Sequence, residues 1–241
     1  MKYFFIVNPK AGEGGAEEKL REAVSALPCK DDCEFYITKG VGDATEFVKR
    51  TAAEYGGEAL RFIACGGDGT LNEVVHGLIS ADLTRPLGYL PAGSTNDFAA
   101  SLGLSQDIIT AAENIVNGRI HLFDAGDFGG RIFTYVASFG AFTKASYTAP
   151  QNVKNVIGHL AYIFEGGVEL ASIRPEHIKI EANGKTYDGD YIFGAVSNST
   201  SLGGVLSISS DRVDMNDGLF ETMLIANPEN ISQLSKIIHA V

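Results

Sequence analysis

Residues 61–75 combine a strand pattern, closely spaced glycines and a helix pattern in one short stretch. An apolar run over residues 61–65 leads directly into Gly66-Gly67-Asp68-Gly69-Thr70, and Leu71, Val74 and Leu78 then recur at helical spacing. A strand that passes through glycines into a helix is typical of the connections in a parallel α/β sheet. The missing side chains let an anion approach the backbone, and the free N–H groups of the helix start attract it. We therefore predict an anion-binding loop here, with positive φ at Gly67.

The rest of the first half repeats this alternation of short apolar runs and amphipathic stretches. Strands are predicted over residues 3–7, 34–38, 61–65 and 87–90, and a further helix carries Leu20, Val24 and Leu27. Each predicted strand is followed by Gly, Pro, Asp, Ser or Thr, so polar groups gather where open α/β sheets bind ligands. Residues 1–118 are predicted to form an α/β domain with a parallel sheet.

The pattern after about Gly118 is different. Residues 120–128 and 131–139 flank Gly129-Gly130, and residues 178–182 and 186–195 flank a turn with Asn183-Gly184, which predicts two antiparallel hairpins. Further strands are predicted over 205–209 and 219–225, and helices over 159–172 and 229–240. Residues 119–241 are therefore predicted to form a mainly antiparallel, β-sandwich-like domain.

Composition excludes several classes of protein. The net charge of −11 opposes binding to nucleic acids and, by charge alone, to anionic membranes. The sequence contains no apolar run of about 20 residues, as a membrane-spanning helix requires. Three cysteines leave one over and match no zinc-site spacing, so reduced thiols are expected. We expect a cytoplasmic protein.

Two more loops follow predicted strands and strengthen the ligand-site interpretation. Asn8-Pro9-Lys10-Ala11-Gly12 follows the first strand, and residues 91–99 follow the fourth. Lys10 could neutralise phosphate charge, and Ser94, Thr95 and Asn96 could donate hydrogen bonds to phosphate or ribose oxygens. For each of these side chains the alternative is a turn or a helix cap.

Asp68 is unusual in an anion-binding loop. A carboxylate repels a phosphate unless a cation intervenes or a proton has to be removed, and Mg²⁺ would resolve that conflict. The alternative is a tight strand-to-helix turn in which Asp68 only caps the helix. On this stretch alone, both interpretations stand.

Four stretches resemble the diacylglycerol kinase catalytic-domain family: residues 8–12, 66–74, 87–99 and 201–219. The most specific of them is Pro91-Ala92-Gly93-Ser94-Thr95-Asn96-Asp97-Phe98-Ala99. Sphingosine kinases are more distant relatives, and Gly-Gly-Asp-Gly-Thr is shared with NAD kinases. The resemblance implies a two-domain architecture of the NAD-kinase and diacylglycerol-kinase type, with residues 1–118 as the nucleotide-binding domain. It also implies an ATP- and Mg²⁺-dependent kinase that acts on diacylglycerol or a similar lipid alcohol.

The resemblance further implies roles for individual residues. ATP would be bound by two loops and two further hydroxyl-bearing residues: Asn8, Pro9, Lys10, Ala11, Gly12, Thr38, Gly66, Gly67, Asp68, Gly69, Thr70, Leu71, Asn72 and Ser94. Asp68, Asp97 and Asp124 would form an acidic network with Mg²⁺ between the domains, and the alternative for Asp124 is a turn residue at the end of a strand. The Asp217 carboxylate and the carbonyls of Asp214 and Leu219 would form a structural Mg²⁺ site, where the alternative is an Asn-Asp-Gly hairpin turn.

The sequence departs from the family pattern in places. Ser94 replaces the usual Thr, and Ala100 stands where a basic residue is common. In the family, an Asp-Gly-Glu element resembles the general base for the acceptor hydroxyl. The sequence up to Val241 contains no such element. We expect either that the second domain is shortened and lacks its last strands or that another carboxylate acts as the base. The sequence does not identify that carboxylate. An NAD-kinase-like transferase and a nucleotide-binding pseudo-enzyme are the alternatives.

The expected partners follow from the lipid-kinase interpretation. The substrate would be a lipid or lipid-like alcohol, reached by transient contact with a membrane surface, which allows a peripheral location at the inner membrane face. An open edge strand in the β domain would allow a homodimer. No nucleic acid is expected.

Overall fold

The computed structural model describes residues 1–12, 16–56, 59–140, 174–202, 206–209 and 211–240. The chain divides into two compact units, Met1–Tyr135 and Val136–Val241. The first unit continues past Gly118, where the sequence pattern changes. Thr134, near the end of this unit, donates hydrogen bonds from its backbone N–H and its hydroxyl to the Asn72 side chain, at 2.9 and 2.6 Å.

A four-stranded parallel sheet forms the centre of the first unit. Its strands are β1 (Lys2–Val7), β2 (Cys33–Ile37), β3 (Leu60–Gly66) and β4 (Leu87–Pro91), in the order β2-β1-β3-β4. The sequence predicted these four strands and their parallel arrangement. Residues 3–7 of β1 and most of β3 are buried, as expected for a sheet covered on both faces. The strand order reverses between β1 and β3, and such a switch point is where open α/β sheets bind ligands.

Helices cover both faces of this sheet. They are α1 (Ala16–Ser25), α2 (Asp43–Tyr55), α3 (Asp68–Ser80), α4 (Asp97–Ser101) and α5 (Ile108–Asn117), and a 3₁₀ turn spans Lys30–Asp32. Tyr3, Phe5 and Val7 belong to a core cluster that includes residues of α1 and α5. Phe4 instead contacts the rings of Phe47 and Tyr55 on α2, with centroids 5.9 and 5.5 Å apart. Alternate β1 side chains thus bury the two faces separately.

The first unit ends in a short hairpin of β5 (Gly126–Phe128) and β6 (Arg131–Phe133). The predicted long strand over residues 120–128 is wrong, because only its last three residues pair. The apolar alternation that suggested it includes Ile120 and Leu122, whose side chains are 64% and 74% exposed and face no core within the described residues.

The second unit contains an antiparallel sheet, as predicted. Its strands are β7 (Val136–Gly140), β8 (Glu176–Ala182), β9 (Lys185–Ser197), β10 (Ser201–Leu202), β11 (Leu206–Ser207) and β12 (Glu221–Ala226), followed by α6 (Ile231–Ala240). The sheet order is β12-β9-β7, and β8 also pairs with β9. Asn183 and Gly184, at φ values of 51° and 72°, form the turn between β8 and β9, as the Asn-Gly signal predicted. The predicted helix over 159–172 lies outside the described residues. Among the described helices, none has the length and apolar character needed to cross a membrane.

Candidate functional site

The loops after β1, β3 and β4 contact one another at one edge of the parallel sheet. Asn8 Nδ2 donates to the Thr70 hydroxyl at 3.3 Å, and the Ala92 amide donates to the Gly66 carbonyl at 2.8 Å. A Cβ atom placed on Gly12 would lie 2.6 Å from the Ala92 carbonyl oxygen. The structure therefore brings together the three loops in which the sequence placed an anion site.

Two glycines allow the second and third loops to approach closely. A Cβ atom on Gly67 would lie 3.3 Å from Gly93 Cα, and one on Gly93 would lie 2.5 Å from Gly67 Cα. Gly67 has a φ of −88°, so the expectation of a positive φ there is wrong. Glycine is needed at this position because another backbone passes beside it, and not because the chain adopts a left-handed conformation.

Asp68 connects the second loop to the third. Its two carboxylate oxygens accept hydrogen bonds from the backbone N–H groups of Asp97 and Phe98, at 2.9 and 3.1 Å. The side chain is buried, and this burial raises the pKa of its carboxyl, although the amides of Phe98 and Asp97 act in the opposite direction. The Asp68 side chain therefore caps the start of α4, which begins at Asp97. Asp68 is itself the first residue of α3.

Of the other two predicted acids, Asp97 is the first residue of α4, and Asp124 follows a residue that packs against this helix. Asp97 is 2% exposed, and its charge contributes to raising the pKa of the Asp68 carboxyl, so these two carboxylates are neighbours. Asp124 lies in the irregular segment before β5. The residue before it, Phe123, packs edge-on against Phe98 with ring centroids 5.5 Å apart. Within the part of the chain that the structure describes, no three His, Cys, Asp or Glu side chains form a metal-binding cluster.

The third loop contains one buried side chain and two exposed ones. Asn96, at a φ of 53°, accepts from the Gly93 amide at 2.9 Å and donates to the Gly93 carbonyl at 2.7 Å. Its Oδ1 also accepts from the Tyr89 hydroxyl at 3.4 Å. Asn96 therefore forms a turn, which is the alternative to a role in ligand binding. Ser94 and Thr95 are exposed and remain predicted phosphate or ribose donors.

The first loop has a similar internal structure. Asn8 Oδ1 accepts from the Lys10 amide at 3.0 Å, and the side chains of Pro9 and Lys10 are exposed. Ala11 is buried beside Gly12. The Thr38 amide, which follows β2, donates to the Val7 carbonyl at 2.9 Å, so Thr38 lies next to this loop.

Some residues at the start of α3 are held in internal contacts, and one faces open space. The amides of Thr70 and Leu71 donate to the Gly67 carbonyl at 3.0 and 3.2 Å, and the Leu71 side chain is 1% exposed. Asn72 accepts from Thr134, and a Cβ atom on Gly69 would meet nothing within 4 Å. Open space at Gly69 agrees with the predicted approach of an anion to this turn.

The predicted structural metal site lies in an exposed turn of the second unit. Asp217 Oδ1 accepts from the Leu219 amide at 2.9 Å, and Asp214 Oδ1 accepts from the Asn216 amide at 3.1 Å. Gly218 has a φ of 76°. These residues form a turn, but the predicted hairpin is wrong, because the flanking strand β11 pairs with β10 and β12 pairs with β9. Metal binding by Asp214, Asp217 and Leu219 stays a prediction.

The sequence analysis missed the role of Glu73. Its carboxylate oxygens accept from the backbone amides of Gly42 and Ala44 at 2.8 and 3.2 Å, and its carbonyl accepts from the Thr45 hydroxyl at 2.8 Å. A glutamate one turn into a helix is ordinarily a solvent-facing residue, so its spacing gave no signal. The partner amides lie about 30 residues earlier in the chain, beyond the reach of local patterns.

The carboxyl group of Asp43, at the start of α2, is expected to make stability depend on pH. Its carboxylate accepts from the Lys39 amide at 2.7 Å and the Tyr36 hydroxyl at 2.8 Å, and the Lys39 bond is the main reason that the pKa of this carboxyl lies below its ordinary value. The stabilisation is therefore present above pH of about 4 and is lost as the pH falls through the lower folded-state pKa. We expect a carboxyl NMR titration to give Asp43 a pKa below the ordinary aspartate value of about 4. An equal or higher pKa would contradict these contacts.

The sequence of this protein matches the family model for the diacylglycerol kinase catalytic domain over residues 2–128. A diacylglycerol kinase of Bacillus subtilis strain 168 is 35% identical over 222 residues, which are 91% of this chain and 72% of that relative. The chain belongs to the diacylglycerol kinase catalytic-domain family.

Other members of the family agree in sequence and in fold. A diacylglycerol kinase of Staphylococcus aureus strain MRSA252 is 31% identical over 234 residues, 97% of this chain and 73% of the relative. The crystal structure of a diacylglycerol kinase from Bacillus anthracis strain Sterne matches with a TM-score of 0.71 at 25% identity, covering 100% of this chain and 78% of that one.

Membership in the diacylglycerol kinase family confirms the predicted enzyme class. The protein is a phosphotransferase with an alcohol group as acceptor, an ATP-dependent lipid kinase. A kinase of this family implies use of ATP and usually of a divalent metal.

Proposed function

We propose that this protein transfers the γ-phosphate of ATP to the hydroxyl of diacylglycerol or a similar lipid alcohol, with ATP bound by the three converging loops. The observation that carries this proposal is the direct contact of those loops through Asn8 and Thr70, Gly12 and Ala92, and Gly67 and Gly93. Loops that surround one small volume with backbone N–H groups and little side-chain bulk suit a polyphosphate.

The polar groups around these loops fit a nucleotide. Lys10 and the hydroxyl groups of Ser94 and Thr95 are exposed, so they are available to bind phosphate or ribose oxygens. Thr38 and Asn72 line the same sheet edge from the loop after β2 and from α3. In this proposal residues 1–118 are the nucleotide-binding domain.

The buried carboxylate of Asp68 also fits Mg²⁺. Each carboxylate oxygen has two lone pairs, so an oxygen that accepts one backbone N–H can still face a cation or a bound water. Mg²⁺ commonly uses one or two carboxylates together with waters and substrate phosphates, so Asp68 would need few further protein ligands. Bound Mg²⁺ would supply charge that offsets the phosphoryl group during transfer.

We assign distinct roles to the three acids. Asp68 orients cation and water beside the phosphates and, through its bonds to α4, fixes the distance between two loops. Asp97 and Asp124 complete the acidic surroundings of that helix. A structural Mg²⁺ would bind the Asp217 carboxylate and the carbonyls of Asp214 and Leu219 in the second unit, where hard oxygen ligands surround a tight turn.

A membrane-resident acceptor requires contact with a membrane surface. Apolar side chains that are exposed on the first unit include Ile109, Leu122 and Phe128, at 58%, 74% and 69%, and these are candidates for transient contact. Attachment would be peripheral, at the inner face of the membrane, and a homodimer through an edge strand of the second unit is part of the same proposal.

The proposal is tested by incubating the protein with γ-labelled ATP, Mg²⁺ and an acceptor, comparing dispersed diacylglycerol with NAD. We expect label in phosphatidic acid and none in NADP. Label in NADP alone would favour the NAD-kinase alternative, and normal Mg-ATP binding without label in either acceptor would favour the pseudo-enzyme.

A further inference from the structure

The loops after β1, β3 and β4 are here called the phosphate loops. Glu73 contacts a different loop. The segment of residues 39–42, here called the β2–α2 loop, follows Thr38 and leads into α2. Glu73 lies on α3, and its two carboxylate oxygens accept the amides of Gly42 and Ala44 at 2.8 and 3.2 Å. Gly42 directly precedes α2 and Ala44 lies in its first turn, so neither amide has a partner within that helix. A carboxylate from another helix therefore satisfies them.

The same two helices meet at a second point. The Thr45 hydroxyl donates to the Glu73 carbonyl at 2.8 Å, and Thr45 itself is buried. Gly77, one turn further along α3, lies so close to α2 that a Cβ atom there would be 2.8 Å from Val48 Cβ. Small residues and paired polar groups thus set the position of α2 against α3.

Contacts at both ends of the β2–α2 loop connect it to the phosphate loops. At its start, the Thr38 amide donates to the Val7 carbonyl, directly before Asn8. At its end, Glu73 connects it to the helix that begins with Asp68. Gly42 has a φ of +84°, a conformation that the bound amide of Gly42 helps to maintain.

We propose that Glu73 is a positioning residue for ATP: it holds the β2–α2 loop, and with it Thr38, at a fixed distance from the phosphate loops. This inference rests on the proposed ATP site. Glu73 would act on nucleotide binding rather than on phosphoryl transfer, since its carboxylate faces backbone amides of α2 and its effect passes through the loop. Charge matters as well as shape, because a carboxylate at the amino end of a helix is favoured by the helix dipole.

The test compares the wild type with Glu73→Gln and Glu73→Asp. Gln retains the size but offers one acceptor oxygen and no charge, and Asp retains the charge but is one methylene too short to reach both amides. For each variant we expect the KM for ATP to rise about tenfold, as the loss of a charge-assisted bond allows, with kcat within about twofold. Glu54→Gln is the matched control, since Glu54 is an exposed acid at the other end of α2, and its KM should equal that of the wild type.

Hydrogen exchange of the nucleotide-free protein gives a second measurement that does not need activity. The amides of Gly42 and Ala44 should exchange about tenfold faster or more in both Glu73 variants and at the wild-type rate in Glu54→Gln. Unchanged exchange, an unchanged KM, or a fall in kcat at constant KM would each overturn the positioning role. Failure of the proposed function would be visible separately, as a wild type that neither binds Mg-ATP nor phosphorylates a lipid.

Discussion

Replacing Asp68 by Asn is expected to lower kcat at least about a hundredfold, equivalent to about 2.7 kcal/mol of transition-state stabilisation. The asparagine side chain would keep one oxygen for the amides of Asp97 and Phe98 but would lack the charge that is proposed to orient Mg²⁺ and water. Because the second buried amide loses its acceptor, the free energy of unfolding should also fall, by about 1–3 kcal/mol.

The measurement is kcat with Mg-ATP and dispersed diacylglycerol, made at a temperature well below the midpoint of thermal unfolding of the variant. Glu113→Gln is the control, because Glu113 is an exposed acid on α5 and its loss should leave kcat unchanged. Asp68→Ala should show an equally low kcat and a larger loss of stability. A folded Asp68→Asn protein with more than about half of the wild-type kcat would remove Asp68 from the reaction.

Replacing Gly93 by Ala should weaken Mg-ATP binding by about tenfold or more, although Gly93 contributes no side chain. The new Cβ atom would be 2.5 Å from Gly67 Cα and 2.7 Å from Asn96 Oδ1, so the second and third loops would have to move apart. Overpacking of this kind costs about 1–3 kcal/mol. The displacement also changes the distances between the amides that are proposed to bind phosphate.

Calorimetric titration of Mg-ATP measures this effect, and Gly189→Ala provides the matched control. A Cβ atom on Gly189 would meet the Tyr191 ring at an ordinary contact distance of 3.7 Å, and Gly189 lies in the second unit. The Gly189→Ala protein should therefore bind Mg-ATP with the affinity of the wild type. If Gly93→Ala binds Mg-ATP as well as the wild type, close approach of the two loops is not needed for the nucleotide.

Local patterns predicted the parts of the fold in which strands are apolar and turns are unambiguous. All four strands of the parallel sheet were predicted because their residues are largely apolar and are bounded by Gly, Pro, Asp or Ser. The Asn183-Gly184 turn was predicted because type I′ turns need positive φ at both positions. The convergence of three loops followed from the rule that parallel strands end at one edge.

Features that depend on tertiary contacts were not predictable in this way. Helix α2 buries Thr45 and Thr51 beside alanines, so its buried face shows little contrast in hydrophobicity. The bonds from Glu73 to α2 and from Asp68 to α4 join residues about 30 positions apart. The prediction of a positive φ at Gly67 is wrong because glycine serves both left-handed turns and close backbone contacts, and sequence alone does not distinguish these uses.

The most direct test of the proposed site is an amide NMR titration of the isotope-labelled protein with Mg-ATP. We predict that shifts concentrate in the three loops, at Gly12, Gly67, Gly69 and Ser94, with a smaller shift at Thr38. Amides of the β8–β9 hairpin should not move. Saturable binding that shifts none of the loop amides, or only those of the second unit, would contradict an ATP site built from the three converging loops.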